Sequence, residues 1–461
     1  MSKFHSTVNR RDFMKALGLA GAGLGAAAAA APVFHDLSEV ATSQKANFKH
    51  PWYVKELEFE TASSEIDWSI FEKWSVGPKG FNPFGTANII GYEPTSDMEV
   101  QSLEYRAEAF DARNKLSEDG LKNNTPGYQL RDCALSAGAG GFGPSTTWDG
   151  PRVTTPEDRE VAKWTGTKEE AVNMLRAAAH LYGSEQVGAF ELTSNMLKML
   201  DPGAARIEGD VPYMDGRTMV IPSSCTYGLI WEVGQSSEMT KRGNTRQNAG
   251  ASMGYSYGPI IQHRLQKFIK SLGYHALAMG WMTMMNVGMG VLTGLGELTR
   301  IGMEMTVKHG PMLRGTPTIL TDLPLAPTKP IDAGLFKFCE ACKLCGTLCD
   351  EVNGWTPINM DDEPTFAVPG PSNRVGVKKY PMEWGRCIFC PYCQGACPFG
   401  THNMSTIHET VKAITATTPL FNSFFASMGD TFGYGIHDSP EECESWWDRD
   451  LNSYKLDVIY R

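Results

Sequence analysis

Apolar residues fall at helical spacing along KEEAVNMLRAAAHLY, with Thr167 ahead of the run, acidic Glu169 and Glu170 in its first turn and Gly183 beyond its end. This predicts a capped helix, and QVGAFEL behind it reads as a strand. The same order of helix, glycine and strand recurs in GPIIQHRLQKFIKSLG and YHALAM. Two such units predict an α/β or α+β core and argue against a helical bundle. Ahead of them, residues 47–164 are rich in turn formers, as in GPKGFNPFG and SAGAGGFGPSTTWDGP, so short elements and long loops are expected. Loops of that length either cover a site or run over the surface. Trp52, Tyr53, Trp68, Trp74 and Trp148 are candidates for a pocket wall there, with ordinary packing the plainer reading of each. Between Gly310 and Gly334 the proline-rich PMLRGTPTILTDLPLAPTKPIDAG connects to the C-terminal part.

Composition narrows the functional classes. The chain has 461 residues, 42% hydrophobic and 20% charged, enough for two or three domains with a real core. A net charge of -10 without Lys/Arg clusters argues against a nucleic-acid partner, because phosphate binding needs concentrated cations. No G-x-G-x-x-G sits between a strand and a helix, and no Gly-Lys-Ser/Thr occurs, so neither a Rossmann nor a Walker nucleotide site is supported. The N-terminus reads NRRDFMKALGLAGAGLGAAAAAAPV. Arg10 and Arg11 with Phe13 and Lys15 ahead of a Gly/Ala-rich stretch predict a twin-arginine export signal removed near Ala31. Such export carries folded proteins, which suits cofactors inserted in the cytoplasm. No other segment approaches the length of apolar sequence that a membrane span requires, so a soluble or peripheral mature protein is expected.

The strongest chemical signal is in the cysteines. FCEACKLCGTLCD and RCIFCPYCQGACPFG both carry the spacing C-x2-C-x2-C-x3-C, placing eight of the 11 cysteines in two runs. This is the bacterial ferredoxin pattern, in which three closely spaced thiolates hold one cubane cluster and the fourth cysteine serves the other. The expected sets are Cys339, Cys342, Cys345 and Cys397 for one 4Fe-4S cluster, and Cys387, Cys390, Cys393 and Cys349 for the second. Structural zinc would use two CxxC pairs, and disulfides show no such triplets. Pro398 follows the last ligand as the pattern expects, whereas Asp350 stands at the matching place in the first run. Cys133, Cys225 and Cys443 are scattered and read as buried thiols. His402 and His408 lack a partner at ligand spacing and read as ordinary histidines.

RRDFMKALGLAGAG, FIKSLGYHAL, TDLPLAPTKPIDAG leading into FCEAC, and RCIFCPYCQGACPF follow one another along nearly the whole chain. In that order they resemble the respiratory reductive dehalogenases, most closely members acting on chlorinated ethenes. The resemblance implies an α+β fold: a nitroreductase-like core that binds a corrinoid base-off, followed by a ferredoxin-like domain with two 4Fe-4S clusters relaying electrons to cobalt. Its divisions would be the export signal at 1–31, a loop-rich region at 32–165 covering the pocket, the corrinoid-binding core at 166–325, the cluster domain at 326–405 and an extension at 406–461. Corrinoid contacts in the family are chiefly backbone, hydroxyls and packing. No D-x-H-x-x-G motif occurs here, so no cobalt-ligating histidine is expected.

The resemblance also implies a tyrosine proton donor beside a basic residue. Replacing C-Cl by C-H takes two electrons and one proton, so a positioned acid is required, and a guanidinium beside a phenol eases its donation. Tyr255 and Arg314 match best, with Tyr257 the rival because GYSYG offers two registers, and Asn286 a looser match for a polar pocket residue. Each also fits an ordinary structural role, packing for the tyrosines and a carboxylate pair for Arg314. A haloalkene offers almost nothing to hydrogen-bond, so an apolar, aromatic-lined cavity must recognise it by shape. The expected setting is the outer face of the cytoplasmic membrane, with an organohalide as terminal acceptor, a small integral-membrane anchor protein and a membrane electron-donor complex. Two other readings compete. Epoxyqueuosine reductase, a related corrinoid and iron-sulfur enzyme acting on tRNA, is opposed by the export signal and the acidic balance. A non-catalytic electron-transfer subunit is opposed by the roughly 300 residues ahead of the clusters, far more than a carrier needs.

Overall fold

The structure, a computed structural model, describes residues 50–73, 97–139, 147–280, 283–315, 317–367, 375–388, 390–400, 406–431 and 436–452. The export signal around Arg10 and Arg11, with Trp74 and His402, lies outside them. At the centre is a four-stranded sheet with order β2 (Val187–Glu191), β6 (Tyr227–Trp231), β10 (Thr318–Thr321) and β7 (Leu277–Met279). Every pairing in it is antiparallel. The strands that follow the two predicted helices therefore occupy opposite edges, and the α+β alternative is the one adopted.

The helices on this sheet form as their sequences dictate. Helix α3 (Lys168–Tyr182) opens on a capping box in which the Thr167 side chain and Glu170 satisfy each other's backbone N–H, and it stops at Gly183 in the left-handed region. Helix α5 (Asn244–Ser271) differs from the sequence expectation: it starts 14 residues before Gly258 and carries Pro259 in its interior. Fourteen upstream residues, together with the close packing of Gly254 on Arg314, outweigh the stop signal that proline normally gives.

Alternate side chains of the sheet face two cores, as the strand period requires. Leu229, Trp231, Ala278 and Ile319 meet Ala171, Leu175 and Ala179 of α3 and Ile261, Leu265 and Ile269 of α5. On the other face Phe190, Ile230, Leu277 and Leu320 meet a methionine-rich layer that includes Met284 and Met289 and is completed by helix α6 (Asn286–Leu292). Burying each such aliphatic side chain is worth about 1.5–3 kcal/mol. Two tight packings on one short sheet hold both ends of β6 and β10 in place, and the residues just beyond those ends build the site.

A second hairpin, β8 (Gly296–Leu298) with β9 (Glu304–Thr306), leads towards the cysteine-rich part. Glu232, at the end of β6, and Glu304 are 0% and 2% exposed. Burial pushes both carboxyls well above the usual range, and for Glu232 the neighbouring Glu304 and Glu185 add to it. Such groups bind a proton more tightly when folded than when unfolded. Their favourable contribution is complete below the unfolded value of about 4.3 and is lost as pH rises towards the folded one. The neutral isostere Glu304→Gln is expected to flatten the alkaline fall of the thermal unfolding midpoint. Midpoints at several pH values from acid to mildly alkaline check this, and an unchanged slope would contradict it.

Candidate active site

Six of the eight cysteines of the two runs are presented by three short helices and their ends. Helix α7 (Leu335–Ala341) carries Cys339 and ends at Cys342; α8 (Leu344–Asn353) carries Cys345 and Cys349. Helix α9 (Tyr392–Ala396) carries Cys393 and ends at Cys397, while Cys387 closes a single turn at Trp384–Arg386. Helix α7 has no capping side chain of its own. Its free N–H groups are met by buried Glu297 of β8, which accepts from the backbone N–H of Ala333 at 2.6 Å, Leu335 at 3.2 Å and Phe336 at 3.3 Å. Nothing near Glu297 in the sequence announces this role.

The thiols gather in two groups. All are free, with no disulfide. Cys345 is held well above the usual thiol range by burial and by Cys342, Cys339, Cys393 and Cys397; Cys393 by burial and by Cys387, Cys390 and Cys349. Burial pushes Cys339 up to about 12, opposed by Arg300, and Cys349 up to about 11, with Cys390 adding to it. Asn353 Nδ2 ties the second group together, 3.6 Å from Cys349 Sγ and 4.0 Å from Cys390 Sγ. Cys397 Sγ lies 3.5 Å from Met305 Sδ, and Cys342 packs in the same apolar layer. Among the described residues no three His, Cys, Asp or Glu side chains converge as a single-ion site. Buried thiols that hold protons this tightly need a strongly positive centre to become ligands, and metal coordination deprotonates a thiol outright. Two sets of four free thiols, each buried or half-buried, fit clusters that spread over several irons.

The second group opens onto a small cleft with a cavity volume of about 60 Å³. Cys349, Cys387, Cys390 and Cys393 line it together with apolar Ile301, Met303, Ile358 and Met382, the indoles of Trp355 and Trp384, and the polar ends of Asn353, Gln394 and Arg314. Arg314 joins this cleft to Tyr255. Its guanidinium carbon lies 5.5 Å from the centre of the Tyr255 ring, its backbone N–H bonds Val233 O at 2.7 Å, and its Nε is buried without a hydrogen-bond partner. The approach needs Gly254: a Cβ there would stand 2.5 Å from Arg314 Cβ. Tyr255 is 55% exposed, whereas Tyr257 packs against the core between α3, α5 and the sheet. Asn286 opens α6 and accepts a hydrogen bond from Thr318 Oγ1 at 3.2 Å. The structure therefore brings Tyr255, Arg314 and the second thiol group together.

Among the described aromatic candidates the plainer reading, ordinary packing, holds for Tyr53, Trp68 and Trp148. Trp52 is 77% exposed, Tyr53 is buried with its hydroxyl on Glu409, and Trp68 and Trp148 pack against the methionine-rich core. None of them lines the cleft, whose tryptophans are Trp355 and Trp384. Their place inside the cysteine segment was the available sign. Cys225 and Cys443 are fully buried, but Cys133 is only half-buried, its thiol on Tyr128 O at 3.7 Å. A cleft with all four thiols of the second set on its wall, apolar and aromatic groups around them and one buried guanidinium nitrogen beside them, fits the cluster those thiols would hold.

Comparison with known proteins agrees over the whole chain. A family model described as the reductive dehalogenase subunit matches residues 49–210. The chain is 34% identical to the chloroethene reductive dehalogenase of Dehalococcoides mccartyi strain VS, over 99% of each chain. It is 29% identical to the trichloroethene reductive dehalogenase of another strain of that organism, over 96% of this chain and 97% of the other. Among solved structures, a reductive dehalogenase described as suggesting a mechanism for B12-dependent dehalogenation superposes with a TM-score of 0.53 at 15% identity, covering 85% of this chain and 50% of that one. That likeness is one of fold.

Proposed function

The chain belongs to the reductive dehalogenase family, and on that premise we propose that it replaces chlorine by hydrogen on a chlorinated organic compound, a chlorinated ethene being the substrate class its relatives favour. The observation that carries the reading is Arg314, which faces Tyr255 on one side and lines the cleft of the second thiol group on the other. An isolated electron carrier has no use for such a bridge.

In this reading the fold is a nitroreductase-like core followed by a ferredoxin-like cluster domain. Cys339, Cys342, Cys345 and Cys397 hold one 4Fe-4S cluster; Cys387, Cys390, Cys393 and Cys349 hold the other. A base-off corrinoid is the group to which the second cluster would pass its electrons. When bound, these groups supply two electrons, one at a time, at a centre able to displace chloride. The protein supplies the rest. The apolar cleft excludes water and accepts a haloalkene by shape. Tyr255 donates the single proton that completes C-H as chloride leaves, and the Arg314 guanidinium stabilises the phenolate left behind. Tyr255 then recovers a proton from solvent, to which its position is open.

The physiological setting follows from the N-terminus. Arg10 and Arg11 direct twin-arginine export, and the enzyme works peripherally on the outer face of the cytoplasmic membrane with an organohalide as terminal electron acceptor. Among the described residues no helix is long and apolar enough to cross a membrane, so a small integral-membrane anchor and a membrane electron donor are the partners this setting requires. The purified protein is expected to hold roughly one cobalt and about eight iron per chain, and to release chloride from chlorinated ethenes when a strong reductant is supplied. Iron without cobalt would overturn the assignment.

A further inference from the structure

Arg300 lies just beyond β8 and is 0% exposed. Its Nε and Nη2 donate to the carbonyl of Cys339 at 3.0 and 2.6 Å, and its Nη1 donates to the carbonyls of Asn359 at 2.7 Å and Asp361 at 2.8 Å. The guanidinium carbon stands 3.8 Å from the centre of the Tyr380 ring. All of these partners are neutral. The acidic side chains nearby are engaged elsewhere. Asp361 accepts from Asn359 Nδ2 at 2.9 Å, Asp362 pairs with Lys343 at 2.6 Å, is 89% exposed and meets Arg300 only through space, and Glu297 caps α7. A guanidinium that is always charged is thus fully buried with no carboxylate bonded to it among the described residues. Such an arrangement is costly unless an opposite charge stands close by.

The charge that is missing is that of the first thiol set. Arg300 grips the carbonyl of one of its members and acts electrostatically on Cys339 and Cys342. A cluster held by four thiolates is anionic and gains one further negative charge on reduction, and cluster potentials follow net charge and hydrogen bonding. Resting on the two-cluster reading above, we propose that Arg300 is the internal counter-ion of the cluster held by Cys339, Cys342, Cys345 and Cys397, raising that cluster's reduction potential while its hydrogen-bond fork fixes the Cys339 backbone. It is a positioning and tuning residue, touching neither substrate nor corrinoid. Lys241 and Lys412, 7% and 5% exposed, add positive charge on the side of Cys397. The one-electron reduction involves no bond change and no proton: the cluster takes one electron from the external donor, and the fixed cation offsets the added charge.

The test is an electron paramagnetic resonance redox titration of the full-length holoenzyme. In Arg300→Gln with about eight iron retained, one midpoint is expected to fall by tenfold or more in the reduction equilibrium, about 59 mV for one electron. The moving signal should be the one that Cys342→Ala abolishes, with the other unmoved. Arg300→Lys keeps the charge and is expected to titrate close to the unmodified enzyme. Unmoved midpoints in Arg300→Gln, or a shift of equal size in Arg300→Lys, would overturn the proposal, the latter by assigning the effect to the lost carbonyl bonds. Where Arg300→Gln does not yield an eight-iron protein, Arg300→Lys decides alone: an unchanged midpoint supports the charge, a shifted one removes it. Unmodified protein without iron would instead refute the two-cluster reading itself.

Discussion

Tyr255→Phe should lower chloride release by about a hundredfold to ten-thousandfold, the range that a positioned proton donor contributes, while cobalt and iron content stay unchanged. The substitution removes one oxygen and leaves the ring under Arg314, so the contact of guanidinium and ring survives. Because Tyr255 is largely exposed, loss of its hydroxyl costs little stability, and the loss of rate is read against an intact fold. Tyr257→Phe is the control. That side chain packs against the core, and its substitution is expected to leave turnover within a few-fold of the parent. Equal losses in the two variants, or full activity in Tyr255→Phe, would move the proton donor elsewhere.

Cys349→Ala and Cys390→Ala should erase the same cluster signal, although the two residues belong to different runs. Each is expected to remove about four of about eight iron and more than a hundredfold of the chloride release. Asn353 approaches both sulfurs, which places the last cysteine of the first run among the thiols of the second. Cys342→Ala should erase the other signal. Iron analysis and resonance spectra of the three variants check the crossing. If Cys349→Ala and Cys342→Ala removed the same signal, each run would hold its own cluster.

Local rules were legible wherever the chain settles them locally. Thr167, Glu170 and Gly183 bound helix α3 because a capping box and a left-handed glycine act within a few residues. The cysteine spacing is likewise a local code for a ligand set. What depends on distant contacts was not legible. The start of α5 was misplaced because Pro259 is a stop signal by itself, and only packing of the whole helix on the sheet overrules it. The antiparallel order rests on β6 and β10 inserting between the two predicted strands. Tyr255 and Tyr257 are indistinguishable in GYSYG, yet on a helix residues two apart point to different faces, and one meets Arg314 while the other meets the core. Trp355 and Trp384 carry no local sign of a cleft beyond their place in the cysteine segment.

The carboxyl that caps α7 has a consequence for how the enzyme is assembled. A seven-residue helix is too short to persist alone, and its cap is supplied by Glu297, 36 residues ahead of the first N–H it meets. The scaffold of Cys339 and Cys342 therefore becomes rigid only after the β8–β9 hairpin has docked. On the two-cluster reading, cluster insertion would then be a late event in maturation, and the cysteine-rich segment is not expected to fold as a free-standing module. On the proposed twin-arginine route, which carries folded proteins, export would wait until the core has closed around this scaffold.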